Sequence, residues 1–510
     1  MIFSGKTEAK PGQIFNLLTP ITGVAYLGQP DKFLKISPGD LESWYNPDNN
    51  LSWSIESQDG LWVTAFRPRL ENSGEWTHLY GNAANTSNSG DRLISGEMFP
   101  QWFGDPGPRE MTDRHHRATA PLSLNGVLVV PQENGIMGVD AYNGTLLWNH
   151  NIPEFKKTEI FKGAGTLVAS DDIVYTISED KCYAYELRSG KSVQTFGLPQ
   201  ISEKINHWGY LATQEDKLFG SGRKPGAFYH KYNFENGHLV NWGSFSELVT
   251  GNYLFAMDRH SGNILWSYHS GVIVNSAIAV GKNCIYFIES HNPKASGDQD
   301  GLVGLSNLKG ESYLCALDTE NGQVRLKKSL DISAFQHIIY MVYYDNKIFL
   351  VGSKDIVPHV WYEVLCLNAN NGSLIWNQKF NSSFWAGGTH GEQGRHPAIL
   401  KDNIYVEPMA FNLDTGETVE NWRLKRHGHA CGTFSSSFDR LFFRADNPAF
   451  CVVDISDDGQ KLNQVSRPGC YINIIPAGGL ILIPEASAGC TCDFPLQMSI
   501  AYGPKTTIDQ

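Results

Sequence analysis

The chain has 510 residues, enough for one large domain or roughly two to three ordinary ones. Its 50 glycines, 13 tryptophans and 12% aromatic content suit many short strands and tight turns, and only 18% of residues are charged, low for a helical protein. The net charge of −12 argues against non-specific nucleic-acid binding, and no apolar run reaches the ~18 residues of a membrane span.

The first residues, MIFSGKTEAKPG, lack the apolar stretch of a signal peptide. Residues 1–70 read as a small αβ segment. Residues 14–28 (IFNLLTPITGVAYLG) suggest a short helix, a turn and a strand. Residues 37–45 (SPGDLESWY) carry an N-cap signal and a brief helix, and 51–56 with 61–67 read as a hairpin.

From there a repeat takes over. Residues 137–148, MGVDAYNGTLLW, read as a strand, an Asn-Gly turn and a second strand. One hairpin cannot bury its own apolar face, so it predicts neighbours. They follow at 183–196, 254–266, 314–326 and 365–376, with degenerate copies at 410–422 and 451–465. The turn glycines 144, 190, 262, 322, 372, 416 and 459 are spaced by 46, 72, 60, 50, 44 and 43 residues. A period near 45 with insertions is that of a four-stranded propeller blade.

An alternating strand pair precedes each copy and recurs eight times, first at 118–130 and last from Tyr471. Each is taken as an inner strand A with its partner B, which predicts eight blades. The last pair is followed only by one more strand at 497–502, so its blade needs an outer strand from elsewhere. Residues 98–103, MFPQWF, fit that place. The expected fold is all-β: an eight-bladed β-propeller over 71–510, closed by strands from both chain ends, behind the αβ segment of 1–70.

Repeats of the form A-x-D-x-x-x-G-x-x-x-W resemble those of the pyrroloquinoline-quinone (PQQ)-type propellers, a superfamily of quinoprotein alcohol dehydrogenases and of propeller lipoproteins of outer-membrane assembly. The stretch WTHLYGNAANT from Trp76, followed by Gln101-Trp102, resembles their W-x-x-Y-G…N-T…W opening. The resemblance spans 75–504 and implies the fold; it leaves open a PQQ-dependent alcohol or sugar dehydrogenase and a non-catalytic protein-interaction scaffold. Residues 1–70 resemble, in the order of their elements, the C-terminal end of a class I methyltransferase domain. The turn from Thr19 to Val24 departs from that family's pattern. On this likeness the segment is the remnant of an upstream domain; the other reading is a small cap packed on the propeller.

The loops that lead into the A strands should crowd one mouth of the channel. They carry Arg114 to Arg117 (RHHR), Lys162, His207-Trp208, Asn275, His337, Arg395-His396, His427, His429, Cys431 and Cys470. Such a cationic funnel concentrates anions. His116, Arg117, His207 and Arg395 are the candidates for catalysis, with Arg117 or Arg395 as an anion clamp. His390, Gln393, His396, His427 and His429 could gather a divalent metal (Mn, Zn or Fe) for lyase- or hydrolase-type chemistry. His/Gln ligation at a propeller mouth is similar to that of some polysaccharide lyases. The alternative is that these residues bind neighbouring blades and hold the ring together. The expected partner is an anionic or sugar-like small molecule or a polysaccharide, with a protein partner as the scaffold alternative.

Nine cysteines is an odd number. Cys182, Cys284, Cys315, Cys366 and Cys451 sit in strand patterns and read as buried apolar residues. Cys431, Cys470, Cys490 and Cys492 cluster late in the chain, as two disulfides, a four-thiolate metal site or unpaired thiols. Disulfides would favour a periplasmic or extracellular location. The PQQ resemblance implies a glutamate leading into the first A strand, an adjacent-cysteine disulfide and an asparagine–aspartate pair, holding PQQ and Ca²⁺. Here Arg117 stands near the glutamate position and no Cys-Cys pair occurs. Asp298 to Gly301 reads as a polar loop, Gly220 to Gly226 is unlikely to form a phosphate loop because no helix follows, and Asn85, Asn143, Asn371 and Asn381 head glycosylation sequons.

Overall fold

A computed structural model of the chain describes residues 17–33, 36–43, 45, 51–107, 119–155, 164–199, 206–227, 232–233, 238–239, 247–388, 391–424, 426, 431–453, 459–486 and 498–504. It is nearly all β. Eight innermost strands follow one another: Leu122–Leu124, Leu167–Ser170, His207–Gln214, Val272–Val280, Ile339–Tyr344, Ala398–Leu400, Ser435–Ser436 and Ile475–Ala477. Each opens an antiparallel sheet whose strands are named A to D from the axis outward, and the sheets are blades 1 to 8. Blade 1 continues through Val127–Gln132, Gly135–Asp140 and Leu146–Asn151. Blade 6 has three strands, and a single bridge, Phe411 to Thr418, stands for its fourth. Blades 3 and 4 merge where Thr250 and Gly251 pair with Val274 and Ile273. Blade 8 takes its third strand from Ser499–Pro504 and its outer one from Met98–Gly104, so the two ends of the chain meet in one sheet.

Burial follows this order. Strand A of blade 4 is buried at every position, whereas strand D of blade 1 reads exposed, half-buried, buried, exposed, half-buried, exposed. The C–D turn is built by the repeat itself. Asp140 accepts the N–H of Tyr142 through Oδ1 (3.0 Å), and Gly144 at φ +76° donates to Asp140 O (2.9 Å). A side chain at that φ is strained, so the position calls for glycine. The repeat tryptophan ends the argument begun by the hairpin: Trp148 lies against Gly190 of the next blade and gives its indole N–H to Leu187 O (2.9 Å).

Residues 74–91 cross the mouth where the A strands end, and they touch every blade. Trp76 exchanges two backbone bonds with Ser123 of blade 1, and Thr77 O accepts from Ala169 of blade 2. His78 Nε2 accepts from Thr213 N of blade 3 (3.0 Å). Ala83 O and Ala84 O take Val280 and Tyr343 of blades 4 and 5, and Thr86 O takes Ile399 of blade 6. Ser89 N reaches Ser436 of blade 7, and Asp91 Oδ2 accepts from Gly479 N of blade 8 (2.7 Å). The segment is a hub whose backbone groups are satisfied by the blades it joins.

Ahead of it, Val24–Pro30, Gly60–Phe66 and Ser52–Glu56 form a separate sheet, paired in that order. Pro38–Glu42 is helical, with Ser37 and Asp40 in a capping box. Leu27, Leu41, Leu61, Val63 and Ala65 make its own small core. Among the described residues no helix is long and apolar enough to cross a membrane.

Candidate functional site

The A strands start, and the B strands end, at the mouth opposite the hub. The B-strand ends carry buried polar groups into it. Arg223 closes strand B of blade 3 at 1% exposure, and Glu289, Glu407, Arg444 and Glu485 stand at or beside the corresponding ends in blades 4, 6, 7 and 8.

Blades 6 to 8 concentrate the charge. Arg426 grips Glu407 with both ends of its fork: Nε to Oε1 at 2.7 Å, and Nη2 to Oε2. Arg395 Nε lies 3.5 Å from Glu407 Oε2. Both guanidinium groups also donate to Gly432 O, and Arg426 reaches Arg444 O (3.2 Å). Burial first, and Arg395 second, pull Arg426 below its ordinary pKa. Arg444 donates to Cys470 Sγ. Asn473 Nδ2 donates to Glu485 Oε2 (2.9 Å). Arg467, 3% exposed, has Nε and Nη2 buried with no hydrogen-bond partner among the described residues.

The axis between the mouths is filled. Tyr80 descends from the hub and stacks on His396, with ring centroids 3.5 Å apart at 9°. Its hydroxyl meets that of Tyr471, which lies 3.3 Å from Tyr340 Oη. His396 Nδ1 faces Pro397 O (2.7 Å) and Ser87 Oγ (3.0 Å). Burial holds its pKa down at about 3, so the ring is neutral.

The candidates read from the sequence divide as follows. His116, Arg117, His390, His427, His429, Cys490 and Cys492 lie outside the described residues. Arg395 sits in the ion-pair network. His207 opens strand A of blade 3, half-buried, with its pKa lowered by burial and then by Arg223. Gln393, 2% exposed, donates from Nε2 to Gly388 O (3.4 Å), while its backbone O accepts from Ser353 Oγ. His396 stacks on the axis instead of facing the rim. Asn275 ties two blades together, accepting from Ser221 Oγ (3.1 Å) and donating to Gly209 O (2.8 Å). Cys431 and Cys470 are both buried at this mouth. Among the described residues no group of three or more His, Cys, Asp or Glu is arranged to hold a metal ion. Sequence reading missed Glu407, Arg444 and Glu485, because it searched only the starts of the A strands; their signal was a lone charge closing an apolar run, as in LFFR and LILIPE. Arg467, on the entry to strand A of blade 8, was passed over within a polar stretch that carries no such signal.

The residues present do not fit the quinone. No two cysteines are adjacent anywhere in the chain, and the Tyr80–His396 stack fills the axis beside strand A of blades 5, 6 and 8.

The family model described as outer membrane protein assembly factor BamB matches residues 95–268, from the outer strand of blade 8 through blade 3. No curated protein matches the chain. A europium-containing methanol dehydrogenase superposes with a TM-score of 0.53 at 12% identity, covering 84% of this chain and 98% of that one. The quinohemoprotein alcohol dehydrogenase from Comamonas testosteroni gives 0.53 at 11% identity, covering 85% and 82%. At such identities the likeness is one of fold. Repeats, blades and likenesses agree that the chain has a β-propeller fold similar to that of the PQQ-type propellers.

Proposed function

We propose that this propeller binds an anionic, carbohydrate-like ligand at the mouth formed by blades 6 to 8. The carrying observation is an excess of buried cation. Among the described residues, Arg395, Arg426, Arg444 and Arg467 gather where the buried carboxylates are Glu407 and Glu485, and Arg467 keeps two nitrogens without an acceptor. An uncompensated buried charge costs several kcal/mol, on the order of 3–5 when one partner of a pair is removed. A carboxylate or sulfate arriving at Arg467 would recover that cost through charge-assisted hydrogen bonds. Glu407 fixes the planes of Arg395 and Arg426, so those two set the local potential. The BamB-model match supports a location outside the cytoplasm.

The test is calorimetric titration of the full chain with oligogalacturonate and with its neutral galactose counterpart. Binding of the acidic oligomer alone, lost in Arg467→Met, is the expected result. Equal binding of both oligomers, or an unaffected Arg467→Met variant, would sink the proposal. Elemental analysis of the same sample asks whether a divalent ion (Mn, Zn or Fe) accompanies the ligand.

A further inference from the structure

Blade 5 is built differently from its neighbours. Its B, C and D strands, Lys347–Ile356, His359–Asn368 and Leu374–Trp385, hold 10, 10 and 12 residues, against 6 for each in blade 1. The extra length runs out at the ligand mouth, where B strands end. Register defines the projecting face. Lys354, Trp361 and Asn381 form one row across the three strands, and Ile356, His359 and Trp385 form the next. Alternate positions turn the other way: Ser353, Val360, Tyr362 and Ser382 are buried.

The outward rows are aromatic and cationic together. Trp385 is 68% exposed, and its ring centroid lies 5.4 Å from that of His359. His359 Nδ1 is 3.2 Å from Asn381 Nδ2. Lys379 Nζ stands 5.9 Å above the Trp361 ring, and Lys354 is the strand neighbour of Trp361. Lys309, from the insertion of blade 4, adds a third cation; burial first and Lys354 second lower its pKa. The carboxylate on this face is Glu363, opposite Lys379, and it accepts from Asn377 Nδ2 (3.1 Å). Asp355, on the other face, lies 3.2 Å from His337.

We infer that this face is a second subsite for an acidic oligosaccharide, with Trp361 and Trp385 stacking on sugar rings and Lys354 and Lys379 holding their carboxylates. Rows on one face of a strand recur about every 7 Å, so Trp361 and Trp385 stand in successive rows, on neighbouring strands of one face. An indole offers a flat apolar surface to the C–H face of a pyranose, and exposed lysines are hydrated point charges suited to carboxylates that stay partly in water. Single-stranded nucleic acid is the other polymer that aromatic–lysine faces take, and the test below tells the two apart. The face is continuous with the mouth: Arg395 lies 5.2 Å over the Phe384 ring, and Arg423 donates to Ser383 Oγ (3.1 Å). One chain can therefore run from the arginines onto the hairpin. The inference rests on the reading of the mouth given above, and the test separates the two.

Short and long oligogalacturonates are titrated into the full chain, into Trp385→Ala, into the double variant Lys354→Gln/Lys379→Gln, and into Arg467→Met. These hairpin side chains are exposed, so an unchanged melting temperature is expected. The hairpin variants should weaken the long oligomer about tenfold and leave the short one alone. Arg467→Met should weaken both. Unchanged affinity for the long oligomer in the hairpin variants overturns the subsite, as does equal binding of a neutral oligomer or preference for single-stranded RNA. Loss in the hairpin variants with Arg467→Met unaffected keeps the subsite and overturns the mouth. No binding by the unmodified chain overturns both.

Discussion

Trp102 gives its indole N–H to Ala141 O at 2.8 Å, and its ring occupies the space where a Cβ on Gly144 would stand. Trp148 does the same to Leu187 and Gly190, Trp266 to Thr319 and Gly322, and Trp376 to Leu413 and Gly416. In those three, one blade grips the next along the chain. Trp102 belongs to blade 8 and Ala141 to blade 1, so the same contact joins the last blade to the first. Trp102→Phe keeps a ring on Gly144 but drops the hydrogen bond, a loss of about 1 kcal/mol. Trp102→Ala also opens a cavity and should cost about 3–5 kcal/mol. Denaturant midpoints should rank unmodified, Phe, Ala; equal midpoints would mean that blade 8 is held by its β-ladder alone.

The hub makes a second prediction. Asn85 sits at φ +63° and donates from Nδ2 to Ile278 O (2.7 Å) and Met341 O (3.0 Å), on blades 4 and 5. Asn85→Asp replaces the donor with a carboxylate facing two carbonyls, and should cost about 3 kcal/mol. Asn85→Gly keeps the backbone conformation and should cost less, about 1–2 kcal/mol. Thermal melts of the two variants check the order. The same geometry leaves the Asn85 sequon without a free amide, so peptide mapping of glycosylated material should find Asn85 unmodified.

Repeat physics was local, and so it could be read. The seven turn glycines all take positive φ because the hairpin demands it within six or so residues. The partner strand for blade 8 was also readable, since MFPQWF is an apolar strand with no other home. His396 was not. It was placed on the rim as a ligand, yet its ring stacks on Tyr80, a residue from the hub that no sequence window shares with it. The hub itself, WTHLYGNAANT, has no period; its meaning is a set of contacts with blades spread over the rest of the chain. Glu407 escaped for a related reason: a charge at a strand end looks solvent-exposed until its partner, here Arg426, is known.

That pair supports a third prediction. Glu407 is 2% exposed and is the carboxylate between Arg395 and Arg426. Glu407→Gln leaves two buried guanidinium groups without their counter-charge and should destabilise by about 3–5 kcal/mol. Adding Arg426→Met removes one of the stranded charges and should recover part of the loss. A double-mutant cycle on unfolding midpoints measures the coupling. Additive effects would show that the pair is not coupled.

Acid should act through the buried imidazoles. His78 and His396 are both held at a pKa of about 3 by burial, against 6.5 in the unfolded chain. In His78, Nε2 accepts from Thr213 N, so Nδ1 carries the proton beside Thr77 Oγ1 (2.8 Å); protonating Nε2 would break the bond to Thr213. His207 is shifted the same way, by burial and then by Arg223. Depressed histidine pKa values mean that the unfolded chain binds more protons than the folded one below pH 6.5. Stability is therefore fully present above that pH and falls as the pH drops towards 3. Each histidine contributes a slope of about 1.4 kcal/mol per pH unit. Carboxylates are half-titrated at about pH 4.3 and burial pushes Glu75 higher, so the interval from about pH 5.5 to 6.5 reads mainly the imidazoles. Urea midpoints across that interval should fall with an uptake of about two protons on unfolding. His396→Gln should lower the starting stability and remove about one proton from the slope. A flat profile in the unmodified protein would mean that these rings bind protons alike in the folded and unfolded chain, and would overturn the assignment of neutral buried imidazoles.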